Sequence, residues 1–508
     1  MAEFTATVVQ QLPSIMPELV LAVGAIVLLA LDLWTKPESK VLLSDLAAAI
    51  VVVALAALLW STDFGRTPVL GGMFFADRFS IFLRAVLYSG LLLVYLMGQG
   101  YLRRNNVPQG EYLVLLMFAT IGTAFMVGAA DLIAFYLGLE VLSIASYVLA
   151  GLRLGNHKSQ EAALKYFLNG GLSSAIILFG LSLLFGLTGT TALQEMAGAL
   201  AAGGTQTAVL ATALAFVIGG LGFKVAAVPF HLWVPDTYEG SPTPVTAFLS
   251  VISKGAAFGA ALRIFYVGLA PVMGSWTAGF ALLSAITMLV GNVSALHQDN
   301  VKRLLGYSSI AQAGYILISL AAGTREGMAA GLFYILAYLF TNLGAFAVVV
   351  AVSNDTGSDH LDAFRGLSRR NGFLAGAMVL FALSLVGVPF TAGFFGKLYL
   401  MRAGLDAGLN WLVIWTAINS VISVGYYFKI IQAMYLRKYE PALETTVLGA
   451  GDHPPAMAGG SREENDAVPP LRPGRPVMVT VFIALAGTVL IGTMPIFIEW
   501  AGLAALVP

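Results

Sequence analysis

The sequence predicts an all-α, polytopic membrane protein with about fourteen transmembrane helices. Of its 508 residues, 58% are apolar and only 11% are charged, whereas a soluble domain carries about 25% charged residues. That density cannot cover a 53.5 kDa globule with water-compatible groups. It excludes a soluble enzyme, a nucleic-acid binder with a basic face and a disordered chain. Because the chain has no cysteine, it holds no disulfide, thiolate metal site or iron–sulfur cluster.

Fourteen apolar runs are long enough to cross a bilayer, which takes about 20 residues per helix. Strands of a closed β-barrel alternate apolar and polar residues, and these runs do not. We predict spans at 15–34, 41–60, 79–98, 112–130, 131–151, 162–187, 206–233, 243–266, 276–297, 302–322, 326–352, 372–403, 409–437 and 476–500.

Positive charge is distributed unevenly over the loops between these spans. Sixteen of the 27 Lys and Arg residues fall on one side, which we call the basic face, five fall on the opposite face and six lie inside spans. Because cytoplasmic loops are rich in Lys and Arg, we expect the basic face to be cytoplasmic and both termini to lie outside. The polar insert 439–475 is rich in proline and predicts a flexible cytoplasmic linker before a last helix in 476–508.

Four ionisable side chains are predicted near the bilayer midplane, each on a different span. Glu140, Lys224, Lys254 and Lys397 lie nine to eleven residues from a span end, which is about 13–16 Å along a helix. An ionisable group at this depth costs about 2.5–3.5 kcal/mol. One glutamate can form a structural ion pair with one lysine but not with three. The set therefore predicts a proton pathway, in which a lysine takes up and releases a proton as its glutamate partner moves.

Four further residues have both a functional and a structural interpretation, and a fifth, Arg84, has only a structural one. Lys165 and Lys429 are possible relay residues, but each is near enough to the basic face for its amine to reach the interface. His231 and His297 are possible relay residues because a free imidazole exchanges protons near neutral pH, although a histidine at a helix end is often a capping residue. Arg84 lies near the opposite face and is predicted to be an anchor that reaches the interface.

The tripeptide Val-Pro-Phe occurs twice, at 228–230 and 388–390, deep within the seventh and twelfth spans. Because proline breaks a helix, Pro229 and Pro389 predict that both helices are discontinuous. Five spans begin between them, so the two helices run in opposite directions and indicate an inverted repeat, as in many transporters. One departure is that Lys224 precedes its proline whereas Lys397 follows. No His, Asp or Glu residues have metal-ligand spacing, so we expect no metal.

Three long stretches carry a resemblance to known proteins: GFKVAAVPFHLWVPDTYEGSPTPVTAFLSVISK (222–254), GNVSALHQDNVKRLLGYSSIAQAGY (291–315) and SLVGVPFTAGFFGKLYL (384–400). They are similar to the antiporter-like membrane subunits of respiratory complex I (NADH:quinone oxidoreductase), and among these to the subunit N family. The sister subunit M carries glutamate at the position of Lys397, and subunit L continues into a longer lateral helix. The resemblance implies helices 1–3 in residues 1–111, a five-helix repeat in 112–270 and a second, inverted repeat in 271–438.

The same resemblance implies a role for each midplane residue. Glu140, Lys224, Lys254 and Lys397 match the proton relay, which is driven by quinone reduction elsewhere in the complex. NAD, FMN, iron–sulfur clusters and quinone are expected in other subunits, and no cofactor or redox chemistry in this chain. We expect a multi-pass protein of the bacterial cytoplasmic (inner) membrane. Its expected partners are the lipid bilayer and other membrane-arm subunits, especially a subunit M-like antiporter homologue and a small subunit K-like neighbour.

Other functions remain open on the sequence alone. One is a subunit of an Mrp-type cation/proton antiporter, which shares the ancestral fold. Another is the equivalent subunit of a photosynthetic or hydrogenase-linked relative of complex I. A purely structural scaffold is the third, and the midplane lysines argue against it.

Overall fold

The computed structural model describes residues 11–36, 40–60, 68–204, 206–439 and 469–506. Within these ranges, thirteen helices are long and apolar enough to cross a membrane, and β structure is limited to four isolated bridges. The spans are α1 (Leu12–Trp34), α2 (Val41–Trp60), α3 (Arg78–Arg104), α4 (Gln109–Gly128), α5 (Leu132–Ala150), α6 (His157–Thr188), α7a (Thr207–Val225) with α7b (Trp233–Gly240), α8 (Thr243–Gly268), α9 (Thr277–Ala295), α10 (Val301–Ala322), α11 (Arg325–Thr356), α12a (Gly372–Val386) with α12b (Ala392–Asp406), α13 (Asn410–Tyr435) and α14 (Arg475–Thr493).

The all-α membrane architecture predicted from hydropathy is confirmed, and each predicted span overlaps a helix. The twelfth span is not among the thirteen long helices, because α12a and α12b have fifteen residues each and neither is long enough alone to cross a bilayer. Fourteen is the count when these two halves are taken as one crossing. The inverted repeat and the boundaries 1–111, 112–270 and 271–438 remain predictions.

Both predicted helix breaks are present. Helix α7a ends at Ala226, which has a left-handed backbone with φ +64°, and α12a ends at Gly387, with φ +95°. A left-handed residue is a common helix terminator because it turns the chain away and satisfies free carbonyls. The Val-Pro-Phe segments follow directly, and the chain resumes helical structure in α7b and α12b.

Helix α8 is the most enclosed span. Every one of its residues is buried except Tyr266, which is half-buried. Two π-helical turns interrupt it, at Leu249–Ser253 and Ile264–Gly268. The first ends directly before Lys254. Such turns are rare and are found mostly at functional positions.

Two buried arginines form ion pairs that connect α3 to α1 and to α8, towards the opposite face. Arg84 is wholly buried, with its guanidinium 3.1 Å from the Glu18 carboxylate, so the prediction of an interfacial anchor is wrong. Its partner is 66 residues away in the sequence and could not be inferred from the span alone. Arg263, at the end of α8, forms a two-pronged ion pair with Asp77.

The predicted linker 439–475 lies largely outside the described residues, which exclude 440–468. On its far side, residues 469–471 bond to the start of α12a. The Leu471 amide donates to the Arg370 carbonyl at 3.1 Å, and the Asn371 side chain donates to the Leu471 carbonyl at 3.1 Å. These bonds fix the position from which α14 returns into the membrane domain.

Candidate functional site

Lys224 is buried in the last turn of α7a, with 4% of its surface exposed. Its ammonium donates to the Ser143 hydroxyl of α5 at 2.6 Å. It also lies 5.6 Å from the ring of Tyr147 and 5.9 Å from that of Tyr166. The aromatic faces supply weak cation–π stabilisation, so Lys224 sits among neutral groups.

Glu140 lies one helical turn before Ser143 on α5 and is half-buried. Its carboxylate accepts a hydrogen bond from Ser174 of α6, and that hydroxyl is 3.2 Å from the Tyr136 hydroxyl. Within the described ranges, Glu140 and Lys224 have no direct ion pair within 4.0 Å. The Glu140 carboxylate on α5 and the Lys224 ammonium on α7a therefore each bond to a different serine, and their roles as relay partners remain a prediction.

An aromatic stack leads from Lys224 towards the centre of the molecule. Tyr166 stacks on Trp233 at 4.5 Å between ring centroids, and Trp233 contacts Tyr238 edge-on at 6.1 Å. Tyr238 packs against Gly306, three residues before Ser309 on α10. The hydroxyls of Tyr166 and Tyr238 are buried with no hydrogen-bond partner in the described part of the chain. Such hydroxyls are typical binding points for internal water.

Lys254 follows the first π-helical turn of α8 and is 2% exposed. Its ammonium donates to the Ser309 hydroxyl at 2.6 Å and to the Ser309 carbonyl at 2.7 Å. Among the described residues, Ser309 thus accepts both hydrogen bonds of this buried cation.

A chain of side chains connects this region to Lys397. Ser308, next to Ser309, contacts the Tyr427 hydroxyl of α13. The Gln312 amide lies 3.4 Å from that hydroxyl and donates to the Leu385 carbonyl at 3.1 Å. Lys397 donates to the same carbonyl at 3.0 Å. The central and distal lysines are therefore joined by hydrogen-bonding groups of α10, α12 and α13.

Lys397 caps the end of a half-helix. It extends from α12b back to the Leu385 and Val386 carbonyls at the C-terminal end of α12a, where the helix dipole favours a cation. Lys224 occupies the last turn of α7a. The two lysines lie on opposite sides of their prolines in the sequence, yet both are associated with the C-terminal end of the first half-helix.

The charge balance of the midplane is the most unusual property of the site. Lys224, Lys254 and Lys397 are each at most 4% exposed. Among the described residues, none has a carboxylate within 4.0 Å, and their hydrogen-bond partners are serine hydroxyls and backbone carbonyls. Burying an unpaired charge is costly. The three lysines therefore do not serve as structural ion pairs.

Lys165 belongs to an ion-pair cluster at the basic face. Its amine is 2.6 Å from both Glu161 and Asp236, and Arg303 is 2.7 Å from Asp236. The Asp236 carboxylate thus accepts a hydrogen bond from each of the two cations, Lys165 and Arg303. A cavity of about 200 Å³ adjoins this cluster beneath α7b.

The other possible relay residues lie in different settings. Lys429 is half-buried and donates to the Leu296 carbonyl. His231 is nearly buried within the α7 break, between α7a and α7b. His297 is exposed, and its Nδ1 is 3.2 Å from the Val293 carbonyl one turn back, which matches the capping interpretation. The described ranges contain no group of three or more His, Cys, Asp or Glu side chains that could hold a metal ion.

The sequence prediction did not include the polar partners of the lysines. Ser143, Ser309, Gln312 and Tyr427 are buried neutral residues within apolar spans. Their only sequence signal is a polar side chain inside a span, such as Ser308-Ser309 and Gln312 within α10. Many such residues simply bond to their own helix, so sequence alone does not distinguish the two cases.

This fold, with discontinuous helices and buried lysines, defines an antiporter-like transporter subunit, and comparison with known proteins agrees. Residues 129–423 match the family model described as NADH:quinone oxidoreductase/Mrp antiporter, transmembrane. The chain belongs to this family. Within the family it is similar to the proteins named NADH-quinone oxidoreductase subunit N. The subunit N 2 of Symbiobacterium thermophilum is 44% identical over 455 residues, which cover 85% of this chain and 89% of that protein.

Solved structures support the same assignment. A chain of respiratory complex I from Thermus thermophilus with bound aureothin is 31% identical, with a TM-score of 0.74 and coverage of 94% of this chain and 97% of that chain. A chain of the Mrp complex from Dietzia sp. has a TM-score of 0.81 and covers 97% of both chains, at 24% identity. The latter likeness shows the fold alone.

Proposed function

We propose that this chain translocates protons as an antiporter-like subunit of the membrane arm of an NADH:quinone oxidoreductase. Glu140, Lys224, Lys254 and Lys397 are the proposed relay. The observation that carries the proposal is the burial of three lysines without carboxylate partners in the described interior. Buried ionisable groups of this kind mark ion pathways. Similarity to the proteins named NADH-quinone oxidoreductase subunit N supports the coupling to quinone reduction.

The proposed sequence of events begins at Glu140. A charge change there alters the field at Lys224 of α7a, whose ammonium bonds to Ser143, one turn beyond Glu140 on α5. Lys224 then exchanges its proton with the central segment, and Lys254 and Lys397 exchange through Ser309, Tyr427 and Gln312 or water beside them. A shift of three pKa units at one lysine is worth about 4 kcal/mol, against about 2.3 kcal/mol for one charge crossing 100 mV.

The surface of α5 around Glu140 has features that favour contact with another subunit. On α5, Leu137, Val141 and Ile144 are exposed around the half-buried carboxylate. A carboxylate facing hydrocarbon is costly, so we propose that the small subunit K-like neighbour covers this surface. At the other end of the lysine row, Phe390 is 80% exposed beside the α12 break, and we propose the subunit M-like homologue there.

The proposal also assigns the cofactors to other subunits and gives the chain an orientation in the membrane. NADH, FMN, iron–sulfur clusters and quinone would be bound by other subunits. The basic face would lie in the cytoplasm of a bacterium, with the chain in the inner membrane and both termini on the periplasmic side. The excess of Lys and Arg in the basic-face loops supports this orientation.

Cation exchange of the Mrp type is the alternative, and the interior charge argues against it. A sodium ion needs several oxygen ligands, preferably anionic ones, as other hard cations do. The described midplane instead offers three lysines and one glutamate, which repel a cation overall. The family model covers both activities, so the alternative is tested by the same preparation.

The test is proton translocation by the purified complex in proteoliposomes. Lys224→Ala is expected to lower the number of protons moved per electron while the subunit content stays unchanged. Lys158→Ala is the matched control, because this lysine is 68% exposed in the basic-face cluster. An unchanged proton-to-electron ratio in Lys224→Ala refutes the relay. Sodium-driven proton exchange without NADH oxidation supports the alternative.

A further inference from the structure

A second cavity opens at the basic face, on the side of α9 and α13. Its volume is about 550 Å³, and its lining includes Asp299, His360, Asp362, Lys429 and Gln432. The loops that follow α9 and α11 form one wall, and the last turns of α13 form the other. This cavity is separate from the one beneath α7b, with which it shares no lining residue.

A buried polar stripe continues from this cavity along α13. Thr416, Asn419, Ser423 and Tyr426 are all fully buried. Their spacing of three or four residues places them on one face of the helix. Lys429 follows at the cavity end, so the distance from Lys429 to Asn419 along the axis is about 15 Å at 1.5 Å per residue.

The stripe meets polar side chains of the neighbouring helices at Tyr426 and Asn419. The Tyr426 hydroxyl donates to the Asn292 side-chain carbonyl at 3.0 Å. The Asn292 amide donates to the Tyr315 hydroxyl and to the Asn419 side chain, both at 3.2 Å. Near the cavity, Lys429 donates to the Leu296 carbonyl, one turn beyond Asn292 on the same helix.

The inner end of the stripe is at Lys397. The Lys397 ammonium is 4.2 Å from the centre of the Tyr315 ring and 3.3 Å from the Ser420 hydroxyl. Ser420 adjoins Asn419 in the sequence. A row of polar side chains thus extends from the cavity to the distal lysine, in a helix pair that otherwise presents apolar residues to the membrane.

We propose that this row is a water-accessible path that connects Lys397 to the basic face. The inference rests on the proposed proton relay and adds a second entrance to it. An ideal inverted repeat would open its two halves to opposite faces. Here both charged cavities, beneath α7b and beside α13, open at the basic face, and the proposed path lets Lys397 exchange protons with that face.

The native chain lacks cysteine, which allows a direct test. Gln432→Cys, Ser423→Cys and Asn419→Cys are introduced singly into the intact complex. Membrane vesicles of both orientations are treated with a charged, membrane-impermeant methanethiosulfonate, and labelling of this chain is read by mass spectrometry. Ile430→Cys, in the buried apolar core of α13, and Val421→Cys, on its exposed outer surface, are the controls.

We expect Gln432→Cys to react only when the reagent is added at the basic face, because this residue lines the cavity. Ser423→Cys and Asn419→Cys should react from the same face, about tenfold or more faster than both controls. The thiolate is the reactive form, and a thiol held in dry apolar surroundings contains about tenfold less of it for each unit by which its pKa is raised.

Labelling of Gln432→Cys alone, or of Ser423→Cys and Asn419→Cys from the opposite face, overturns the proposed path. Two variants at different depths guard against a single substitution that disturbs packing, and serine to cysteine preserves volume closely. The result is independent of the relay test. If Lys224→Ala leaves the proton-to-electron ratio unchanged, the relay fails whatever the labelling shows. If the labelling fails and that ratio falls, only this path is refuted.

Discussion

The ion pair between Asp77 and Arg263 allows a worked prediction. It joins α3 to the end of α8, and the two side chains are 5% and 0% exposed. Arg263 donates to the two carboxylate oxygens at 2.5 and 2.8 Å. One of these oxygens also accepts from the Ser80 amide at 2.9 Å, as the N-cap of α3. Asp77→Asn keeps the cap but leaves the buried guanidinium without its counter-charge.

Breaking a buried ion pair by neutralising one partner costs about 3–5 kcal/mol. Unfolding entropy of about 2.1 cal/mol/K per residue amounts to about 1 kcal/mol/K for 508 residues. The melting temperature should therefore fall by about 3–5 °C, and by more if only part of the membrane domain melts. The measurement is the fraction of tagged chain that remains in the assembled complex after a temperature series, quantified by size-exclusion chromatography.

Two comparisons make this reasoning refutable. Asp77→Asn combined with Arg263→Met removes the orphaned charge and should recover most of the loss, because an apolar replacement of a buried pair is close to neutral. Asp406→Asn, which disrupts the exposed contact between Arg402 and Asp406 at 3.9 Å, should change the midpoint little. A single variant as stable as the parent, or a double variant as unstable as the single, contradicts the argument.

Three further predictions concern packing and charge. Gly122→Ala would place its Cβ 2.6 Å from a backbone nitrogen of α5, so the α4–α5 contact should open and the complex should melt lower. Gly171→Ala has no atom within 4 Å and should be neutral in the same assay. Asp236→Asn should lower the free energy of unfolding by about 1 kcal/mol or less, because the side chains of its two cationic partners are 30–43% exposed. This loss should shrink at high salt, and a loss that does not depend on salt would contradict the prediction. Lys254→Met should preserve assembly yet lower the protons moved per electron, and normal pumping would remove Lys254 from the relay.

Hydropathy and helix chemistry predicted the spans because a bilayer imposes a length and a composition on each helix. The Val-Pro-Phe segments predicted both discontinuities because proline disrupts the local hydrogen bonding of a helix wherever it occurs. The π-helical turns of α8 were not predictable. A one-residue change in hydrogen-bond spacing alters neither the hydropathy nor the length of a uniformly buried helix.

The candidate site was predictable in depth but not in its contacts. Distance from the span ends placed Lys224, Lys254 and Lys397 in the interior, and all three are buried. Their partners depend on helix packing across long sequence separations, such as the 55 residues between Lys254 and Ser309. The expected closeness of Glu140 to Lys224 also depends on side-chain rotamers, which sequence periodicity does not determine.

The π-helical turn before Lys254 gives α8 a rotational degree of freedom. A π turn contains one residue more than an α turn and closes its hydrogen bonds between residues five apart. If the turn Leu249–Ser253 moves along the helix past Lys254, the lysine rotates by about 100° about the helix axis, the angle of one residue in a 3.6-residue turn. The ends of α8 need not move. A helix enclosed on all sides can thereby turn its ammonium away from Ser309 while its two ends stay in place.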